Sequence, residues 1–220
     1  MRDEEPWLTP EEAGCRLLLH LSPSVLETIG LEELSDLLAL PEVAGLVIET
    51  EGIAEDRLRR VAATAEGQQR ACLLVDGMQA IARVGAHGLH LRDWKRVSEA
   101  RRQLGAGWIL GASCGLSRHA AMVAGEGGAD YVLFGELGNE LGEHWRQHAT
   151  LVAWWAELFY LPCAVALGTE LAHARAMVRE GADFLVPTVV SSDGTPTSPR
   201  GIRELASELA AMHPRGTGER

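Results

Sequence analysis

Eight short apolar runs recur along the 220 residues, and a segment with helical periodicity follows each of them. The runs are continuously apolar rather than alternating, which is typical of strands buried on both faces of a parallel sheet. A regular order of strand and helix predicts an α/β fold. The predicted strands lie at 15–21, 43–49, 71–75, 88–91, 108–112, 130–134, 162–167 and 183–188.

The helical segments carry apolar residues on one face and begin near Ser, Thr or Asp residues that can cap a helix. Eight units in 220 residues leave about 27 residues for each unit. That size suits a single (β/α)8 TIM barrel over residues 1–220, with an ordered core from about 13 to 212 and short flexible termini. An open doubly wound sheet is the alternative, but the even spacing favours the closed barrel. The predicted helices lie at 24–40, 55–66, 79–84, 97–104, 117–126, 150–159, 169–180 and 198–212.

The charge balance limits the choice of partners. The chain has 20 Lys and Arg against 31 Asp and Glu, for a net charge of −11. An acidic surface of this kind does not favour nucleic acid or an anionic membrane. The first residues, MRDEEPW, do not resemble a secretory signal, and no apolar run reaches the ~18–20 residues that span a bilayer. We therefore expect a cytoplasmic protein.

The cysteines indicate a reducing compartment. The four cysteines are 42 or more residues apart in the chain, which does not suit a local zinc site. Cys15, Cys72 and Cys163 lie inside apolar runs, so we expect them to be buried, reduced thiols. Cys114, in GASCG, is not assigned by this pattern.

Three segments share one plan, in which a glycine ends a helix, two residues turn the chain and a strand follows. They are GAHGLHL, GADYVLFG and GADFLVPT, at 85–91, 128–135 and 181–188. The glycine supplies the left-handed conformation that ends the helix. These turns lie at the amino ends of the strands, so Asp130 and Asp183 are predicted to be structural.

The carboxyl ends of the strands form the active-site face of such a barrel. Four carboxylates follow strands there: Glu49, Asp76, Asp93 and Glu136. Together they could hold a hard cation such as Mg²⁺. Alternatively, they are ordinary exposed acids at loop starts. His90 points from the fourth strand and is typical of a hydrogen-bonded core histidine.

The loops after strands seven and eight are the usual phosphate site of this fold. Gly168 and Thr169 open the seventh helix, where free backbone N–H groups can bind an anion. Thr188 and Ser191 follow the eighth strand. These four residues are candidate phosphate ligands, although Thr169 could equally be an N-cap and the later loop a solvated turn.

Several of these segments resemble the thiamine phosphate synthase family and its thiazole tautomerase relatives. The resemblance rests on GAHGLHL, LGAGWILGASCG, SRHAAMVAGEGGADYVLFGE and WWAELFYLPCAVALG, and runs from about residue 70 to residue 190. It implies a transferase that couples hydroxymethylpyrimidine diphosphate with thiazole phosphate, using Mg²⁺. It also implies a small phosphorylated heterocycle as ligand and a homo-oligomer.

Some functional positions of the family are kept. By resemblance, Asp76 matches a metal ligand, Ser113 a catalytic serine after the fifth strand, and His90 a conserved motif after the fourth. Gly168 matches one glycine of a phosphate-binding pair, and Thr188 aligns near the serine pair of the last strand.

Other functional positions depart from the family, chiefly those that bind diphosphate and metal. The basic residue of the family at the end of the second strand falls on Glu49 or Thr50. Arg92 and Asp93 replace a Gly-Gln pair, and Lys95 replaces a second metal-binding Asp. Glu136 begins a loop that lacks the family's lysine. We therefore expect weak or lost synthase activity in a degenerate site.

Two alternatives remain. One is a non-catalytic ligand-binding or regulatory paralogue. The other is a tautomerase-like isomerase, which is disfavoured because the position of the tautomerase histidine falls near Gly115 and His119 lies a helical turn later.

Overall fold

Eight parallel strands close into a barrel in which each strand pairs with its sequence neighbours and β1 pairs with β8. A computed structural model describes residues 14–138, 145–167, 171–189 and 198–212. The predicted α/β barrel is confirmed, and the open sheet is excluded. The strands are β1 (Arg16–Leu21), β2 (Val43–Ile48), β3 (Ala71–Val75), β4 (Gly88–Leu91), β5 (Ile109–Gly115), β6 (Tyr131–Phe134), β7 (Cys163–Leu167) and β8 (Phe184–Val189).

Helices surround the barrel close to the predicted positions. Two short 3₁₀ helices, Met78–Ala80 and Trp94–Arg96, lead into α4 and α5. The α-helices of the described residues are α1 (Pro23–Thr28), α2 (Leu31–Leu38), α3 (Glu55–Gly67), α4 (Ile81–Val84), α5 (Val97–Leu104), α6 (Arg118–Glu126), α7 (Trp145–Leu158), α8 (Leu171–Arg179) and α9 (Pro199–Met212).

The prediction of one helix over 24–40 is wrong, because the chain breaks between α1 and α2. Ile29 and Gly30 are extended there, with ψ values of 130° and 139°. The break leaves carbonyl groups without helical partners. Arg57 on α3 donates its guanidinium N–H groups to the carbonyls of Leu26 and Ile29, which satisfies the broken end. A long-range contact thus supports the break, at which Gly30 is the N-cap of α2.

Two apolar layers hold the barrel. The outward strand residues pack against the helices, whereas a second cluster fills the barrel interior. Tyr131 is the bulkiest side chain of that interior cluster and is 1% exposed. A Cβ on Gly111 would lie 2.1 Å from the Tyr131 ring, so only glycine leaves room for this ring.

The amino ends of the strands are closed by the three predicted turns. Gly85, Gly128 and Gly181 have φ values of 76°, 96° and 96°, as the left-handed helix ends require. Two residues after each glycine, a side chain accepts the N–H of an earlier strand. His87 Nδ1 accepts from Cys72, Asp130 from Leu110 and Asp183 from Cys163. The structural roles predicted for Asp130 and Asp183 are confirmed.

All four cysteines are buried and free, as predicted for Cys15, Cys72 and Cys163. Cys114 shares this state, and burial raises the pKa of its thiol to about 12. It is therefore a neutral thiol rather than a thiolate nucleophile. Within the described ranges, none of the helices has the length and apolar character needed to cross a membrane.

Candidate functional site

Polar side chains gather inside the barrel at the carboxyl ends of its strands. The register places His20 of β1 directly beside Thr188 of β8, and Glu49 follows β2 next to them. Below this level the interior is largely apolar, with residues such as Leu18 and Val186. The fold thus puts this polar layer above a largely apolar barrel core.

Thr188, His20, Glu49 and Arg92 form one connected network in this layer. His20 Nδ1 lies 3.0 Å from Thr188 Oγ1, and His20 Nε2 lies 3.0 Å from Glu49 Oε1. The Arg92 guanidinium contacts the same carboxylate oxygen of Glu49. His20 is 2% exposed, while Arg92 reaches the surface with about half of its side chain accessible.

This network changes the effect that the charge of Glu49 is expected to have on an anionic ligand. As an isolated acid it would repel a diphosphate, but Arg92 beside it balances its charge. The same contact uses part of the hydrogen-bonding capacity of Arg92. The Arg92 guanidinium is therefore already paired with a carboxylate of the protein.

His90, Ser113 and Tyr131 form a second network deeper in the barrel. His90 Nδ1 lies 2.7 Å from Tyr131 Oη, and Nε2 lies 2.9 Å from Ser113 Oγ. Burial, together with the nearby charges of His20 and Arg92, lowers the pKa of His90 to about 3. Burial also raises the pKa of the Tyr131 phenol. His90 is thus the neutral, hydrogen-bonded core histidine that its sequence context predicts.

A cavity of about 430 Å³ opens beside these networks. Its size suits a small molecule. Gly115 contributes backbone without a side chain, and its carbonyl accepts the N–H of Gly135, which joins the ends of β5 and β6. The wall is formed by Arg92, Trp94, Ser113, Cys114, Gly115, Glu136 and Leu137. Three predicted site residues, Arg92, Ser113 and Glu136, therefore meet at one cavity.

The remaining predicted acids and Lys95 make other local contacts. Asp76 adopts a left-handed φ of 50° and lies 3.5 Å from the Arg96 guanidinium. Asp93 caps the second 3₁₀ helix by accepting the N–H of Lys95. The Lys95 ammonium lies 5.6 Å from the centre of the Trp94 ring. Asp93 and Lys95 are exposed, on the outer side of this loop.

The described residues do not fit a protein-held Mg²⁺ site. Nowhere in the described ranges do three or more His, Cys, Asp or Glu side chains gather in a metal-binding arrangement. Glu49 faces His20 and Arg92, while Asp76 faces Arg96. Oxygen-rich coordination of a hard cation needs several such ligands directed at one point.

Only one of the four predicted phosphate ligands lies within the described residues. Gly168, Thr169 and Ser191 lie outside the described residues. Thr188 is described, and its hydroxyl faces His20. Phosphate binding by all four residues stays a prediction.

Two important residues were absent from the predicted site. His20 ends an apolar run and has no local motif, so its partners become visible only when β1 lies between β2 and β8. Trp94 lines the cavity from the loop that carries Arg92 and Lys95. Trp94 could have been found in the sequence, because it is an aromatic residue that lies between charged residues directly after a strand.

His119, a helical turn after Gly115, is exposed on α6 and packs edge-on against Trp94, with ring centres 5.7 Å apart. The tautomerase alternative stays a prediction.

These features define a (β/α)8 barrel with a polar, ligand-sized opening at the carboxyl ends of its strands. The sequence profile of the family described as "Thiamine monophosphate synthase" matches residues 50–191. The chain belongs to this family.

Individual relatives agree with the family match. A thiamine-phosphate synthase of Hyphomonas neptunium is 36% identical over 159 residues, which cover 68% of this chain and 71% of that protein. Those of Erythrobacter litoralis and Rhodospirillum centenum are 33% and 40% identical. The matches cover 62% and 52% of this chain, and 65% and 57% of those two proteins, which is less than two thirds of their length.

The fold has a close counterpart among solved structures. The thiamine phosphate pyrophosphorylase of Pyrococcus furiosus superposes with a TM-score of 0.67, covering 88% of this chain and 96% of that one. The two sequences are 16% identical, so this similarity establishes the shared barrel alone.

Proposed function

We propose that this protein binds a small heterocyclic molecule at the barrel mouth and that its classical thiamine phosphate synthase activity is weak or absent. The contact of Glu49 with both His20 and Arg92 carries the proposal. The family resemblance places a basic, diphosphate-binding residue at this strand end, where the chain has Glu49 and Thr50. Transfer chemistry with a diphosphate leaving group needs cationic groups or a metal at that place.

The surrounding groups support this proposal. Arg92 and Arg96 each face a carboxylate of the protein, Glu49 and Asp76 respectively. Lys95 lies over Trp94 on the exposed side of the loop. Arg92 and Arg96 are thus partly neutralised by protein carboxylates before any diphosphate arrives. The cavity of about 430 Å³ still offers room for a small ring system.

A turnover assay tests the loss of activity. The purified chain is incubated with hydroxymethylpyrimidine diphosphate, thiazole phosphate and Mg²⁺, and thiamine phosphate is measured against a reaction without protein. We expect no product above that background. A Mg²⁺-dependent rate comparable to that of the Hyphomonas neptunium relative, assayed in parallel, would overturn the proposal. Mg²⁺ is expected as a cofactor only in that active case.

Three further expectations accompany the proposal. The net charge of −11 supports a role without nucleic acid or membrane partners. The four free, buried cysteines support a cytoplasmic location. A homo-oligomer is proposed from the family resemblance, and its mass in solution can be measured by light scattering.

A further inference from the structure

The large apolar side chains that the described residues expose lie in one sector of the barrel. They are Leu116, Met122, Leu158 and Tyr160, which are 46%, 40%, 59% and 105% exposed. Each of them lies in α6 or α7 or within two residues of one of these helices. Exposed apolar side chains gathered in one place are typical of a surface that binds a partner.

The two helices are neighbours on the outside of the barrel, because α6 packs against β5 and β6 and α7 against β6 and β7. The Arg118 guanidinium of α6 lies 4.6 Å from the centre of the Trp154 ring of α7. Met122 follows Arg118 by one helical turn, and Leu158 follows Trp154 by one turn, so these side chains extend the same contact line. Arg118, Met122, Trp154, Leu158 and Tyr160 are called the α6–α7 face below.

The charges of the two helices are separated by sign along this face. Their Asp, Glu, Lys and Arg residues are Arg118 and Glu126 at the two ends of α6, with Arg146 near the start and Glu157 near the end of α7. All four side chains are exposed. Both helices begin near the carboxyl ends of the strands, so the face is positive at that end and negative at the other.

The dipole of each helix does not explain this arrangement. A helix is stabilised by acids in its first turn and by bases in its last turn. The neighbouring α5 follows that pattern, with Glu99 in the first turn and Arg101 and Arg102 in the last. In α6 and α7 the first turn has no acid and the last turn has no base. A surface of the opposite polarity, packed against the face, would account for the reversed charges.

We propose that a second copy of this chain packs on the α6–α7 face, related to the first by a twofold axis near Met122. Met122 lies midway between Arg118 and Glu126, four residues from each. A twofold axis across the helices reverses their direction, so Arg118 faces Glu126 of the partner subunit and the apolar side chains meet at the centre. This inference rests on the homo-oligomer proposed above and assigns the surface that forms it.

Sedimentation of the full chain tests the apolar centre. We expect the wild type to dimerise. Met122→Glu should raise the dissociation constant of the dimer by about tenfold or more, because symmetry places two carboxylates together in an apolar contact. Leu158→Glu should act in the same direction. Ala63→Glu is the matched control, because it adds the same charge at an exposed position of α3 and should leave the dissociation constant unchanged.

A charge exchange tests the twofold arrangement. Arg118→Glu alone leaves acids at both ends of α6, and Glu126→Arg alone leaves arginines at both ends. Each single variant should therefore associate about tenfold more weakly with itself than the wild type does. An equal mixture of the two variants should form a dimer again, because every acid then faces an arginine. Thermal melting checks that each variant is folded.

The outcomes separate this surface from the proposed function. A wild-type dimer that Met122→Glu and Leu158→Glu both leave intact would overturn the surface and keep the homo-oligomer. A mixture that associates no better than the single variants would overturn the twofold pairing, and with it the inference. A monomeric wild type would refute the homo-oligomer as well. The turnover assay is independent of these results, so the loss of synthase activity stands or falls separately.

Discussion

The two ends of the barrel are built in different ways. At the amino ends, each of three turns uses one nearby side chain to accept one backbone N–H, as Asp130 does for Leu110 and Asp183 for Cys163. At the carboxyl ends, side chains such as His20, Glu49 and Thr188 bind mainly to one another. The first arrangement secures the backbone, and the second joins side chains of different strands to one another.

This difference separates stability from recognition. A backbone N–H left without an acceptor in a buried turn loses a hydrogen bond that solvent cannot replace. A side chain at the open mouth can instead find water when its partner is removed. We therefore expect changes at the amino end to lower stability most, and changes at the mouth to alter binding.

The largest effect is expected from Asp130→Ala. Asp130 accepts from the Leu110 N–H and contacts the Arg101 guanidinium, so its loss removes the partners of two donors. The free energy of unfolding should fall by about 2–3 kcal/mol, as measured by urea denaturation. Asp56→Ala, at an exposed i,i+4 pair with Arg60, is the control and should leave the midpoint unchanged. Equal effects of the two variants would contradict the assigned role of the turn.

A pH effect of similar size is expected from His90. Burial, with the charges of His20 and Arg92, lowers its pKa to about 3 in the folded protein. Below its ordinary value near pH 6.5 the unfolded chain gains a proton that the folded chain does not. His90 should therefore lower the free energy of unfolding by about 1.4 kcal/mol per pH unit as pH falls from 6.5 to 5, or by about 2 kcal/mol over that range.

Urea denaturation between pH 7 and pH 5 measures this slope. Most carboxylates stay ionised in that range, and His90→Gln should show a shallower decline than the wild type. Parallel declines in the two proteins would show that His90 is already protonated or solvated in the folded state.

A smaller stability effect is expected at the mouth from Glu49→Gln. The amide oxygen can still accept from His20, and Arg92 is half exposed, so the loss should stay below about 1 kcal/mol. Binding of inorganic phosphate should instead become severalfold tighter, because one negative charge is removed beside Arg92. Calorimetry measures this change. Glu157→Gln, an exposed site near the end of α7, provides the same charge change away from the mouth and should have no effect on phosphate affinity.

The smallest effect is expected when a thiol reagent is added to the folded protein. Burial raises the pKa of the Cys72, Cys114 and Cys163 thiols to about 12, and that of Cys15 further. A thiol reagent at pH 8 should therefore find almost no reactive cysteine in the folded protein and four after unfolding. Rapid reaction of Cys114 alone would show that the mouth admits the reagent, and would sharpen the contrast between the two ends.

The amino-end turns were predictable because their information is local. A glycine followed two residues later by Asp130 or Asp183 specifies both the helix end and the side-chain acceptor within a few positions. The helix break after Thr28 was missed, although Gly30 lies at it as the N-cap of α2. The contact that satisfies its carbonyls comes from Arg57, which lies almost thirty residues further along the chain.

The candidate site was predictable only as a set of strand ends. Glu49, Arg92, Ser113 and Glu136 could be placed at the mouth because parallel strands end on one face. Their pairing could not be foreseen, since the direction of a long side chain depends on its neighbours across the barrel. For this reason the sequence shows Glu49 only as an acid that follows a strand, whereas in the structure its carboxylate is paired with Arg92.

The sequence alone determined the alternation of strands and helices, the turns at the amino ends and the family, because each of these depends on residues close together in the chain. Tertiary structure alone decided which donor meets which acceptor at the mouth. His20 and Thr188 are 168 positions apart, and only closure of the barrel brings β8 beside β1. That closure brings the Thr188 hydroxyl within 3.0 Å of the His20 ring.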